Sequence, residues 1–233
     1  MQLTLEAVAV SYGKKRVLDE ISMAIAHREV VALVGNNGAG KTTLLKSILG
    51  VLEVERGGIQ FEGVDITREP PHAKVHRGIV YCPQGGEVFR FLTVDENLEV
   101  AAHMEKDEQK TKQNMEKVFE LFPALEARRY LKGGVLSGGE RQMLSLGMSL
   151  MLSPKLFLID EPSGGLSPLY VDKVFEAITR INEELETTIL VVEQNIRHAL
   201  EICSKVYVLR NGRIAYGGDK TGIQDVSAEC FGF

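Results

Sequence analysis

Two short runs of the chain carry residue types that do chemistry when closely spaced. The first is Gly35-Asn36-Asn37-Gly38-Ala39-Gly40-Lys41-Thr42-Thr43, a Gly-x-x-x-x-Gly-Lys-Thr pattern with an apolar strand before it and a helical pattern after it. Its glycines let consecutive backbone N–H groups turn inward onto phosphate oxygens. The lysine adds positive charge at the outer phosphates, and the Thr42 hydroxyl can ligate Mg²⁺. With both flanks correct, the run predicts a nucleoside-triphosphate site. The second run is "LFLIDEP", where Asp160 ends an apolar stretch and Glu161 follows it. A carboxylate ending a buried strand suits the metal side of such a site. A second one at the mouth suits a general base that orients and deprotonates an attacking water.

A third run, "VLSGGERQMLSLGMSL", poses a problem of helix formation. From Glu140 on, Met143, Leu144, Leu146, Gly147, Leu150 and Met151 fall near one helical face. Yet Gly138 and Gly139 occupy the opening turn, where each weakens a helix by about 0.8–1 kcal/mol relative to alanine. Ser137 and Glu140 fit a capping box, which explains those two residues and not the glycines. Without side chains, the first-turn amides are bare where the helix dipole is positive. The pattern predicts a helix end kept clear for a close-approaching anion.

The elements that must position these runs alternate between strand and helix. Leu3, Leu5, Val8 and Val10 give a rough period of two, and "ISMAIA" and "VVALVG" read as further strands. "GGIQFEGVDI" reads as one strand with glycine punctuation, and "GIVYCPQ" as another. From Thr93 to about Ser153 the pattern is helical, divided by Pro123, Gly133 and Gly134. There follow a buried strand ("KLFLID"), a helix over about 168–185, a strand ("TTILVVE") and a helix from about Ile196. A hairpin turning at Asn211-Gly212 comes after them. Such alternation predicts an α/β fold with a mainly parallel sheet flanked by helices, and a helical block inserted at about 88–153.

Composition removes other classes of function. A chain of 233 residues, 44% hydrophobic, can bury a substantial core as one domain. The net charge of −5 and the lack of a basic block argue against nucleic-acid or anionic-lipid binding, and "HMEKDEQKTKQNMEK" reads as a solvated helix face. The apolar runs fall far short of the roughly 18–20 residues that cross a bilayer. The N-terminus lacks the order of a signal peptide. Cys82, Cys203 and Cys230 form no Cys-x-x-Cys pair, which suits a reduced, cytoplasmic protein.

The P-loop, Gln84 after a strand, "LSGGERQ" and "LIDEP" occur in an order that resembles the ATP-binding-cassette (ABC) ATPases over nearly the whole chain. The resemblance implies a P-loop core at 1–87 and 154–233 with an antiparallel β subdomain, and a helical subdomain at 88–153 carrying the signature motif. It implies head-to-tail dimers, identical or of two related ATPases, with each ATP between one P-loop and the other chain's signature. Ser137, Gly138, Gly139 and Glu140 would then meet the partner's γ-phosphate, and Tyr12 would stack on adenine. Thr42, Gln84 and Asp160 would hold Mg²⁺, with Glu161, Gln84, Lys41 and Gln194 as catalytic groups. Phe89, Phe91 and Leu92 lie where a membrane subunit's coupling helix docks, or else in the subdomain core.

Two positions depart from the general pattern. Gln194 stands where many relatives carry a histidine, and it can donate a hydrogen bond but carries no charge. Ser167 stands where an aspartate is usual; His198 reads as a structural or surface residue. "VEQN", "GGLSP", "DITREPPHAKVHRGIVYCPQG", "LTVDENL", "VFELFPALEARR" and the tail "ECFGF" resemble the ATP-binding subunits of branched-chain (hydrophobic) amino acid uptake systems. Within that type, Gly85-Gly86 replaces an arginine and "GMSLM" replaces "GRALM". The resemblance implies two membrane permeases, an extracytoplasmic solute-binding protein, and a place on the inner face of the cell membrane. Urea and short-amide uptake subunits are similar, and a soluble ABC protein outside transport is the other class.

Overall fold

The structure is a computed structural model describing residues 1–105 and 107–225. Cys230 and the tail "ECFGF" lie outside the described residues. The first half contains β1 (Leu3–Tyr12), β2 (Lys15–Ile25), β3 (Val30–Val34), α1 (Lys41–Leu49), β4 (Arg56–Phe61), β5 (Val64–Asp65), α2 (Pro71–His76), β6 (Ile79–Cys82) and α3 (Val94–Ala101). The second contains α4 (Glu108–Leu121), α5 (Pro123–Glu126), α6 (Gly138–Leu150), β7 (Leu156–Asp160), α7 (Pro168–Leu185), β8 (Thr188–Glu193), α8 (Ile196–Ile202), β9 (Lys205–Arg210) and β10 (Arg213–Asp219).

These strands form two sheets. One is antiparallel, in the order β2-β1-β4-β5; the other has the order β10-β9-β3-β8-β7-β6. In the second, β9, β3, β8, β7 and β6 run parallel and β10 pairs antiparallel with β9. The α/β expectation with a mainly parallel sheet is borne out. Every residue of β3, β7 and β8 is buried, because both faces of this sheet are covered.

The pleat of β3 divides the molecule's apolar residues into two cores. Val30, Ala32 and Val34 face a core with Val174, Ile178 and Ile181 of α7 and Leu144 of α6. Val31 and Leu33 face the opposite core, with Leu44, Leu45 and Ile48 of α1 and with Leu3, Leu5 and Phe61 of the antiparallel sheet. Period-two alternation thus serves two hydrophobic layers at once.

Two local expectations change. "GGIQFEGVDI" is not one strand: it folds back at Glu62-Gly63, so that Phe61 pairs with Val64. The short helix α2, begun by Pro71, was not evident from periodicity. The Asn211-Gly212 turn forms as expected, both residues having positive φ (50° and 74°), so that Arg210 opposes Arg213.

Candidate nucleotide-binding and hydrolysis site

Parallel pairing brings the chemical residues together. Val34, which opens the P-loop, pairs with Glu193, and Asp160 pairs with Val192. Cys82, just ahead of Gln84, pairs with Ile159. The P-loop, Asp160-Glu161, Glu193-Gln194 and Gln84 therefore all leave one edge of one sheet, the carboxyl ends of its parallel strands. Open α/β sheets bind ligands at that edge.

At the P-loop, Gly40 adopts φ 109° and precedes α1 with no side-chain cap, which leaves the first amides of the helix unshielded. A Cβ at Gly40 would lie 2.7 Å from Leu18 Cδ2, so the residue needs both its φ and its small size. Leu18 belongs to the β1–β2 hairpin, and Tyr12 stands near the tip of that hairpin, paired with Lys15 and 49% exposed.

Lys41 is buried, and its ammonium donates to the carbonyls of Gly35 (2.8 Å) and Asn36 (3.3 Å). It also lies 3.1 Å from Glu161 Oε1. The lysine expected to bind the outer phosphate and the carboxylate expected to activate the attacking water are therefore adjacent. Glu161 has φ 43° and its N–H donates to Val192 O at 2.9 Å, so the neighbouring strand holds it in the left-handed region.

Asp160 is fully buried. One carboxylate oxygen accepts from the Tyr81 hydroxyl at 3.0 Å; the other, Oδ1, has no hydrogen-bond partner. Burial pushes this carboxyl above the usual range, and the hydroxyls of Thr42 and Tyr81 pull against the rise. Burial, with the Asp160 charge, pushes the Tyr81 phenol up, so it remains a donor. An orphaned carboxylate oxygen near a threonine hydroxyl fits a hard divalent cation.

Gln194, Glu161, Ser163, Asn36 and Glu193 line one cleft of about 680 Å³. Within it the buried Glu193 accepts from Ser163 N (3.0 Å) and Gln194 N (3.1 Å), joining the loops that follow β7 and β8. Burial pushes its carboxyl above the usual range, opposed by those amides. None of the sequence motifs gives Glu193 a role. The available signal was an acid ending an apolar run, the same pattern that marked Asp160. Gln84 and Thr42 are not among this cleft's lining residues; Gln84 is exposed on the segment after β6. That segment rests on α6: a Cβ at Gly86 would come within 2.9 Å of Gln142 N, so the close approach requires a glycine there.

Ser137, Gly138, Gly139 and Glu140 do not line the cleft either. They form the expected capping box, with Glu140 N donating to Ser137 Oγ (3.3 Å) and Ser137 N to Glu140 Oε2 (2.8 Å). Arg128 occupies the other oxygen of Glu140 at 2.6 Å, so this carboxylate builds the helix end within its own chain. The helix starts at Gly138, two residues ahead of the amphipathic pattern. His198 stacks on Phe175 with ring centroids 5.5 Å apart, in keeping with a structural residue.

A family model described as "ABC transporter" matches residues 18–164, a span that includes the P-loop, the Ser137 helix end and Asp160-Glu161. The chain belongs to the ABC transporter family. As an ABC ATPase it binds nucleotide and hydrolyses ATP. It is 41% identical to the probable branched-chain amino acid transport ATP-binding protein LivF of Archaeoglobus fulgidus, covering 89% of this chain and 87% of that one. It is 41% identical to the high-affinity branched-chain amino acid transport ATP-binding protein BraG of Pseudomonas aeruginosa, over 91% and 90% of the two chains. The lipopolysaccharide export system ATP-binding protein LptB of Haemophilus influenzae is 35% identical, over 93% and 90%. Among solved structures, an ATP-binding cassette of an ABC transporter superposes with TM-score 0.88 at 27% identity, over 100% of this chain and 98% of that one. A nucleotide-free ABC cassette gives 0.85, also at 27% identity, over 97% and 94%. Among the described residues of this ABC ATPase, no helix is long and apolar enough to cross a membrane.

Proposed function

We propose that this ABC ATPase powers the uptake of branched-chain or other hydrophobic amino acids through two separate permease subunits. It would sit on the inner face of the membrane and be served indirectly by an extracytoplasmic solute-binding protein. The observation that carries the ATPase chemistry is the meeting of Lys41, Glu161 and the orphaned Asp160 oxygen at one sheet edge. The solute class is supported by the two relatives at 41% identity, whose names both specify branched-chain amino acids.

In this reading two ATPase chains, identical or related, pack head to tail. Each ATP lies between the P-loop amides of residues 35–43 on one chain and Ser137, Gly138 and Gly139 on the other, with Glu140 shaping that helix end. Tyr12 stacks on the base. Thr42, Gln84 and Asp160 would hold Mg²⁺, which supplies positive charge to the phosphate oxygens. Phosphate arriving beside Lys41 replaces Glu161 as the ammonium's partner and frees that carboxylate for water. Glu161 then takes the water's proton as oxygen attacks phosphorus and the β–γ bond breaks. Lys41 and the partner's helix end stabilise the charge spread over the departing phosphoryl group. Gln194, held through its backbone by Glu193, donates a neutral hydrogen bond and takes no part in proton transfer. Residues 88–153 act as the helical subdomain that carries the signature end. Exposed Phe89 and Phe91 stand ready for a permease segment.

Tagged Glu161→Gln protein, incubated with Mg-ATP and detergent-solubilised membranes of the source cell, tests this reading. Turnover should fall at least about 10²-fold. Two permease chains and a second ATPase should co-purify, with a solute-binding protein that takes up hydrophobic amino acids. A lipopolysaccharide-export assembly, or ribosomal or DNA-repair partners, would overturn the proposed transport role.

A further inference from the structure

The two glycines of the signature helix end are not equivalent. A Cβ at Gly138 would meet only Leu166 Cδ2, at 3.9 Å. A Cβ at Gly139 would lie 2.1 Å from Tyr170 Cδ1 and 2.3 Å from Cγ, far inside carbon–carbon contact. The ring of Tyr170 occupies the place where a side chain at 139 would be. Gly139 is therefore bare, in the first instance, for a residue of its own chain. The tyrosine hydroxyl accepts from Ser137 Oγ at 3.4 Å, well beyond the usual O–H···O range, so the ring carries most of the contact.

Tyr170 is joined by short backbone bonds to the chain's own hydrolytic carboxylate. Gly164 N donates to Glu161 O (3.1 Å), Leu166 N to Ser163 O (3.2 Å) and Tyr170 N to Ser167 O (2.9 Å). Ser163 is in turn fixed by Glu193. The segment from Glu161 into α7 is thus a tightly bonded run of turns with the Tyr170 ring at its far end, pressed against the signature helix.

We propose that Tyr170 is a positioning residue that sets the signature helix end by seating its ring over Gly139. It thereby links Glu161 in the chain's own site to the surface offered to the partner's nucleotide. A shift of the Glu161 loop moves Ser137 and Gly138 through this ring, a route within one chain that uses the backbone carbonyl of Ser167 and not its side chain. The proposal rests on the head-to-tail ATP dimer set out above.

The test is a double-mutant cycle in the Glu161→Gln background. It reads the ATP concentration that gives half-maximal dimer by light scattering in Mg²⁺. Glu161→Gln alone should dimerise; if it stays monomeric, the head-to-tail reading fails and this proposal falls with it. Given the dimer, Gly139→Ala should raise the midpoint at least about tenfold and Tyr170→Ala about three- to tenfold, while the double variant should be no worse than Tyr170→Ala alone. Tyr170→Phe keeps the ring and should stay within about twofold of the parent, since a single neutral hydrogen bond contributes little net. A parent that dimerises with a double variant as weak as Gly139→Ala would show that the glycine is bare for the partner's anion. That outcome overturns the proposal and leaves the dimer standing. Tyr170→Phe as weak as Tyr170→Ala would overturn the role of the ring.

Discussion

Lys41 and Asp160 show how the surroundings of single buried residues leave them placed to meet a group of opposite charge. Lys41 is buried and answered by two carbonyls and by Glu161 at 3.1 Å. A buried ammonium without such partners would be strongly destabilising. Asp160 has one oxygen on the Tyr81 hydroxyl and the other on nothing, an arrangement that a cation completes. Tyr81 therefore orients the carboxylate toward its open side. Replacing it by phenylalanine removes that donor and should raise the Mg²⁺ concentration for half-maximal ATPase activity about two- to tenfold, with the maximal rate at saturating Mg²⁺ little changed. A magnesium titration of the two proteins checks this; coincident curves would show that the strand alone aims Asp160.

At the scale of elements, the junction of α1 and α2 shows how the P-loop helix is anchored. Lys74 of α2 is fully buried, and its ammonium donates to Ile48 O near the C-terminus of α1, at 2.9 Å. A cation there complements the carbonyl end of the helix. Burial nonetheless pulls the Lys74 amine down from 10.5 to about 8, only partly opposed by Glu69 and Asp65. The depressed value means that the folded chain releases this proton before the unfolded chain does. Between about pH 8 and 10.5 the unfolded state binds more protons, so the Lys74 contribution becomes more favourable as pH rises. Relative to Lys74→Met, wild-type stability should rise over that window by up to about 3 kcal/mol. Urea midpoints of both proteins at several pH values test this. The comparison must be a difference, because burial also raises the thiols of Cys82 and Cys203 to about 11, and that acts in the opposite direction. A difference that stays flat across the window would refute the assignment.

At the scale of the whole molecule, Ser137, Gly138 and Gly139 do not line the cleft beside the P-loop. In the head-to-tail reading proposed above, a complete site draws the two from different chains. Without permeases, specific ATPase activity should therefore rise with protein concentration, nearly in proportion while monomers dominate; constant specific activity across a hundredfold dilution would mean one chain suffices. Much of this organisation was legible in the sequence. The strand–loop–helix around Lys41, the acids ending "LFLID", the box formed by Ser137 and Glu140 and the Asn211-Gly212 turn all lie within a few consecutive residues. Local dihedral preferences and side-chain periods specify such features directly. Sequence alone could not give the pairs whose meeting depends on sheet order and on the packing of both sheet faces. Tyr81 reaches Asp160 because β6 lies beside β7, and Lys41 reaches Glu161 because β8 separates β3 from β7 by a single strand. The reason for Gly139 belongs to the same class. Its smallness was visible and suggested an approaching anion, but only the placement of α7 against α6 revealed the Tyr170 ring above it. Contiguous residues fix local geometry, whereas distant residues become neighbours only once the layers have chosen how to pack.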